Sequence, residues 1–273
     1  LRPTKRDSIR IKGGCMKGIG KVILKTILYV ALYFIFNIIA GILLGMYGAI
    51  TGNIDINNMP MDITLFWGSI ACIIGFLLIY RKKLVYKFKK FEKKEDMTNI
   101  LLISICTGAI LFGIVNFIPH VINKPINGYE TLKQLSTPSI PMIISVILLA
   151  PIVEEIMCRG LIFDYARENT NLFVAIIIQS LAFAAIHGNI IQGIYAFFLA
   201  IIFTLVYIKT KTLLAPIILH LMHNLVNIVA AALIPEGLAQ NPIALLIIGI
   251  VPIPLLIIIL KKMNKIETIE ELV

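Results

Sequence analysis

The sequence has little charge for its length. Of its 273 residues, 15% are charged and 59% are hydrophobic, whereas soluble domains have about 25% charged and about 45–50% apolar residues. Several apolar runs exceed the roughly 18 residues that cross a bilayer as a helix. These runs are continuous rather than alternating, which favours helices over a membrane β-barrel. The sequence therefore predicts an all-α integral membrane protein.

Cysteine is also scarce, and its spacing shows no pairs. The four cysteines are Cys15, Cys72, Cys106 and Cys158, so we expect neither disulfides nor a cysteine metal site. The net charge of +10 could suggest nucleic acid, but the Lys and Arg residues cluster beside the apolar runs. That placement is typical of membrane orientation and anionic headgroups. We expect the lipid bilayer, and no nucleic acid, as a partner.

The apolar runs predict a bundle of about eight transmembrane helices. Their ranges are 22–50, 63–80, 98–118, 140–165, 171–188, 190–208, 213–234 and 241–260. With the N-terminus inside, Lys and Arg concentrate in the segments that would be cytoplasmic, and Lys124 and Lys133 are the loop exceptions. This alternation predicts that both termini are cytoplasmic.

The same pattern divides the chain into consecutive parts. They are a polar N-terminal segment (1–21), the first three helices (22–118), a core (140–234), and a last helix with a cytoplasmic tail (241–273). Met16 is an alternative start, because residues 1–15 are polar and do not begin with Met. The richness in Ile, Lys and Asn favours a prokaryotic cell membrane protein.

The acidic side chains that lie well away from the ends of the predicted spans are Glu154 and Glu155 alone, and they belong to a set of ionisable and amide side chains in the fourth, fifth and seventh spans. Burying such groups in lipid costs on the order of 2.5–3.5 kcal/mol each for charged residues, so each indicates function. The set comprises Glu154, Glu155, Arg159, His187, His220, His223, Asn224 and Asn227.

The two adjacent glutamates are predicted to differ in role. Glu155 and Arg159 are separated by four residues and can form an ion pair on one helical face. Glu154 is rotated by about 100° from Glu155 around the helix. Glu155 with Arg159 could be a structural ion pair or could organise a site, whereas Glu154 is the better candidate for a general base.

Hydrolysis by activated water fits the remaining polar groups. Glu154 could take a proton from water, and His187 could share that proton or orient the water. His220 and Asn224, four residues apart, could stabilise a developing oxyanion. The sequence contains neither G-x-S-x-G, the motif of a serine nucleophile, nor H-E-x-x-H, the zinc-binding motif of many metalloproteases.

Two alternatives stay open at the level of sequence. His223 and Asn227 repeat the spacing of His220 and Asn224, although we favour helix–helix hydrogen bonding for them. Zinc accepts three protein ligands plus water, so Glu154, His187 and His220 could hold a metal, which we favour less than a site without one.

Three short motifs resemble those of a known family. "EEIMCRG" is similar to EExxxR, "FAAIH" to FxxxH and "HLMHN" to HxxxN, in the order found in the CAAX prenyl protease and bacteriocin-processing (CPBP, or Abi) family of intramembrane metalloproteases. The resemblance covers about residues 140–230. One departure is Cys158, where Phe commonly precedes Arg-Gly.

The resemblance implies an eight-helix intramembrane endopeptidase with a cavity open to membrane and cytosol. It implies that Glu154 and His187 activate water, that His220 and Asn224 form the oxyanion hole, and that Glu155 and Arg159 organise the first motif. The implied substrate is a membrane-embedded or lipidated protein or peptide, such as a CAAX protein or a bacteriocin precursor. The alternatives are a non-catalytic protein of bacteriocin immunity and, less favoured, a proton-coupled transporter.

Overall fold

The computed structural model describes residues 5–52, 59–91, 94–122 and 139–263, and it describes the side chains of these except for 5–17 and 94. The chain forms α-helices along almost all of this length. The helices, numbered here in chain order, are α1 (Lys5–Thr51), α2 (Met61–Leu84), α3 (Lys94–Ile122), α4 (Ile140–Asn169), α5 (Leu172–Ala185), α6 (Ile190–Thr210), α7 (Leu214–Leu233), α8 (Pro242–Ile250) and α9 (Pro252–Met263). Single turns of helix occur at Val85–Lys87 and Glu236–Ala239. The prediction of an all-α membrane protein is confirmed.

Local sequence signals set several helix ends. Ser139 caps α4 by accepting a hydrogen bond from the backbone N–H of Met142 at 3.3 Å. Asn171 caps α5 in the same way through the N–H of Val174 at 2.9 Å. Such caps satisfy backbone donors that have no partner within the helix.

Seven segments of the described chain are long and apolar enough to cross a membrane, with α8 and α9 counted together. The remaining apolar helix, α5, has 14 residues, or about 21 Å of rise, against a hydrocarbon core of about 30 Å. The predicted span 171–188 was therefore too long, because α5 ends at Ala185. The count of eight spans and the cytoplasmic location of both termini stay predictions.

Helix α1 also differs from its prediction. It begins at Lys5 rather than near residue 22, so most of the segment predicted as a polar N-terminal part is helical. The predicted tail beyond residue 263 and the first four residues lie outside the described part of the chain.

The described residues form two compact units that are discontinuous in sequence. The first comprises Leu1–Lys87 and Ile152–Thr204, and the second Phe88–Pro151 and Leu205–Val273. The boundary between them falls within α4 and within α6. The division into consecutive parts made from the sequence therefore stays a prediction.

In the first unit, α1 and α2 pack closely along small residues. A Cβ atom placed on Gly75 would lie 2.5 Å from the ring of Phe36, and one on Gly68 would lie 2.2 Å from Oδ1 of Asn37. Glycine at both positions allows the two backbones to approach, as is common between membrane helices.

In the second unit, α3 is the central helix and packs against α7, α8 and α9. A Cβ atom on Gly113 would lie 2.3 Å from the backbone nitrogen of Gly249, and one on Gly108 would lie 2.5 Å from Cγ1 of Val226. Close packing on these glycines holds α8 and α7 beside α3.

Candidate active site

The first motif lies where α4 changes its winding. Residues Ala150–Glu155 are α-helical, and Ile156–Phe163 form a π-helical segment with all eight residues buried. Such segments are rare in proteins, and those that occur often lie at functional sites. Arg159 Nη1 donates to Glu155 Oε1 at 2.8 Å, and both side chains are fully buried. The structure thus forms the ion pair that the spacing predicts.

Aromatic rings and a backbone carbonyl surround the guanidinium group of Arg159. Its Nη2 donates to the carbonyl oxygen of Ala200 at 2.9 Å. Its central carbon lies 4.8 Å from the ring centre of Phe183 and 5.5 Å from that of Phe203. Cation–π attraction and the ion pair together compensate the charge of Arg159 for its lost hydration.

The second motif is joined to the first through Phe183. His187 lies two residues after the end of α5, in a turn that Gly188 continues with a φ of +65°. Its Nδ1 lies 2.7 Å from the carbonyl oxygen of Phe183. Because that oxygen can only accept, Nδ1 carries a proton, so in the neutral form of the ring Nε2 is the acceptor.

Glu154 is half-buried, one residue before the glutamate that pairs with Arg159. The phenol of Tyr33 on α1 interacts electrostatically with Glu154 and with the buried Cys158. Arg159 forms its ion pair with Glu155. The separate roles of the two glutamates stay a prediction.

The third motif lies in the second unit, on α7. His220 is buried with 7% exposure, and Asn224 is half-buried. Nδ2 of Asn224 donates to the carbonyl oxygen of Val146 at 2.8 Å. This bond fixes the amide plane and uses one of the two hydrogens on Nδ2.

The neighbouring pair, His223 and Asn227, belongs to a separate cluster of hydrogen bonds. Nδ1 of His223 lies 3.0 Å from Oγ1 of Thr107 on α3, and Nδ2 of Asn227 lies 3.3 Å from Nε2 of the same ring. Asn227 also donates to the carbonyl oxygen of His223 at 2.8 Å. Both ring nitrogens are thus engaged inside the helix packing, as the helix–helix interpretation of this pair predicts.

Several residues of these clusters carry no signal in the sequence. Ala200 and Phe203 lie in a uniformly apolar stretch of α6, and Thr107 lies in a similar stretch of α3. Thr204 and Gln179 also point their donors at the carbonyl oxygen of Ala200, at 2.8 and 3.4 Å. Only the packing of distant helices identifies them.

Metal binding receives no structural support. Among the residues that the structure describes, no three His, Cys, Asp or Glu side chains are grouped closely enough to hold a metal ion. Zinc at Glu154, His187 and His220 therefore stays a prediction from the sequence.

One protein family is similar to the part of the chain that carries the three motifs. Residues 136–226 match the family described as "Type II CAAX prenyl endopeptidase Rce1-like". This segment includes Glu154, His187, His220 and Asn224, and it ends one residue before Asn227.

Two bacterial proteins are similar to parts of the chain. YdiL of Bacillus subtilis (strain 168), named as a candidate membrane peptidase, is 28% identical over 161 residues, which are 57% of this chain and 66% of YdiL. The membrane-embedded CAAX protease MroQ of Staphylococcus aureus (strain USA300) is 34% identical over 99 residues, which are 34% of this chain and 40% of MroQ.

These alignments cover less than two thirds of either relative, and no solved structure matches the chain significantly. The seven candidate spans among the described residues and the bacterial membrane relatives identify a multi-pass membrane protein of prokaryotic type. Residues 136–226, with their three motifs, are similar to the Rce1-like CAAX protease family, in agreement with the resemblance of these motifs to the CPBP family.

Proposed function

We propose that this protein is an intramembrane endopeptidase that hydrolyses a peptide bond of a membrane-embedded or lipidated protein or peptide. The observation that carries the proposal is the connection of the first two motifs. Glu155 holds Arg159, Arg159 stacks on Phe183, and the carbonyl of Phe183 fixes the proton of His187 on Nδ1. With the proton on Nδ1, the Nε2 atom of His187 can accept a hydrogen bond from water, which a role in packing alone does not require.

In the proposed reaction, Glu154 is the general base. It takes a proton from water while the water oxygen attacks the carbonyl carbon of the scissile bond. Nε2 of His187 accepts the second hydrogen of this water and orients it. Glu154 then gives its proton to the leaving nitrogen as the C–N bond breaks, so that no covalent intermediate forms with the enzyme.

His220 and Asn224 are proposed to stabilise the oxyanion that forms on the carbonyl oxygen. Each offers an N–H donor, and the bond from Asn224 to Val146 holds the amide in a defined orientation. Preorganised donors of this type lower the barrier because they need no rearrangement as the charge develops. Glu155 and Arg159 are positioning residues that hold the π-helical segment beside Glu154.

The test compares membranes of cells that express the wild-type chain or Glu154→Gln, with quantitative peptidomics of the membrane fraction. The variant keeps the size of the side chain but removes the base, so cleavage products that depend on the wild type should disappear. Glu95→Gln is the matched control, because Glu95 is exposed at the start of α3. Cleavage products that persist in Glu154→Gln, or none in the wild type, would contradict the proposal.

A second arm of the experiment adds a chelator to wild-type membranes. A base made of Glu154 and His187 needs no metal, so product formation should be unchanged. Loss of products with chelator and their recovery with zinc would instead favour the zinc mechanism that the three-ligand set allows.

A further inference from the structure

A cavity of about 280 Å³ lies in the first unit at the basic end of α2. This volume is close to the lower limit of small-molecule sites, about 300 Å³. Ten residues from α1, α2, the turn after it and α4 line the cavity: Tyr29, Lys82, Lys83, Tyr86, Lys87, Gly160, Leu161, Asp164, Tyr165 and Glu168. Three lysines and three tyrosines make it rich in N–H and O–H donors.

The charge of the lining is positive. Lys87 forms an ion pair with Asp164, so these two charges compensate each other. Lys82 and Lys83 are exposed and form no ion pair within the described residues, and the one remaining carboxylate in the lining is that of the exposed Glu168. The cavity therefore has an excess of cationic groups available to an anion.

The position of the cavity points to the kind of anion. Helix α2 carries no charged residue between Asp62 and Arg81, and its last turn holds Arg81, Lys82 and Lys83, so the cavity opens where an apolar span meets its basic flank. Lipid phosphates occupy this level of a membrane, and lysine ammonium groups attract them. The side chain of Tyr86 is 77% exposed, which leaves its phenol available to a headgroup.

We propose that this cavity binds the phosphate group of an anionic lipid headgroup, with Lys82 and Lys83 as its charged ligands and Tyr86 as a hydroxyl donor. Gly160 and Leu161 form part of the wall directly after Arg159 in the π-helical segment. A bound headgroup thus contacts the segment that carries the Glu155–Arg159 ion pair and should stabilise it. This binding does not depend on the proposed peptidase function.

The experiment uses the full chain purified in a neutral detergent. Phosphatidylglycerol, phosphatidylcholine or inorganic phosphate is added, and native mass spectrometry and thermal unfolding report binding. We expect phosphatidylglycerol to bind and to raise the unfolding temperature, and phosphatidylcholine to do neither. If inorganic phosphate also raises the unfolding temperature, and the effect depends on Lys82 and Lys83, the cavity is a phosphate site whose ligand can also be free phosphate.

Variants assign the binding to the cavity. Lys82→Gln/Lys83→Gln should weaken phosphatidylglycerol binding on the order of tenfold, because each basic residue near anionic lipid contributes to attraction. Lys261→Gln/Lys262→Gln is the matched control, since it removes the same charge from the exposed basic end of α9. Equal losses in both variants, or equal binding of the two lipids by the wild type, would overturn the proposal.

Tyr86→Phe provides a milder test that leaves the charges in place. Loss of the hydroxyl should reduce phosphatidylglycerol binding by a few-fold, since one donor is removed. Unchanged binding in this variant would remove Tyr86 from the site. The measurement reads bound lipid and not hydrolysis, so failure here and failure of the proposed peptidase function give different results.

Discussion

Each of the two units contains a pair of polar residues spaced by four positions on an apolar helix. The pair in the first unit is Glu155 and Arg159, and the pair in the second is His223 and Asn227. The first pair is charged and is held by an ion pair, a carbonyl oxygen and two aromatic rings. The second pair is neutral and is held by hydrogen bonds to one threonine and within α7. Charge thus requires compensation from several elements, whereas neutral groups need only matched donors and acceptors.

The first prediction breaks the charged pair from one side. Arg159→Met should lower the free energy of unfolding by about 3–5 kcal/mol, because it leaves the carboxylate of Glu155 buried without its partner. Thermal or denaturant unfolding of the purified chain measures this loss. Arg167→Met, which removes an exposed arginine of the same helix, should have little effect.

A double variant separates the lost partner from lost packing. Glu155→Leu/Arg159→Met removes both charges, so most of the stability lost in Arg159→Met should return. A double variant no more stable than the single one would show that the contacts of the arginine with Ala200 and the rings matter more than its charge.

The second prediction compares the two histidines of α7. If His220 is an oxyanion donor, His220→Ala should reduce the rate of hydrolysis by about 10²–10³-fold, with the fold intact. His223→Ala should instead lower stability, while the activity of each folded molecule stays within a few-fold of the wild type. Rates are normalised to folded protein for both variants. The reverse result would assign the third motif to His223 and Asn227.

The third and smallest prediction weakens the neutral cluster. Thr107→Val keeps the shape of the side chain but removes the oxygen that faces His223, which should cost about 1–2 kcal/mol in unfolding free energy. Thr210→Val is the matched control, because Thr210 makes the same bond to the carbonyl four residues earlier without a histidine. Equal losses in both variants would show that the bond to His223 contributes little.

Much of the fold could be predicted because hydropathy is a property of each segment alone. The lengths of the apolar runs indicated the membrane helices, and the one clear overestimate was α5, which ends at Ala185. That end depends on the turn before Gly188, where the chain takes a left-handed conformation. Hydropathy does not report such a turn, because it measures the polarity of residues and not the backbone conformation that Gly188 takes.

The sequence by itself determined the membrane class of the protein and the types of polar group within its helices. It also determined the pairing of Glu155 with Arg159, because four residues make about one helical turn. Tertiary structure alone decided that Phe203 and Ala200, more than 40 residues along the chain, surround that arginine, and that Thr107 meets His223. Apolar helices have similar sequences on all faces, so only their packing determines which side chains meet.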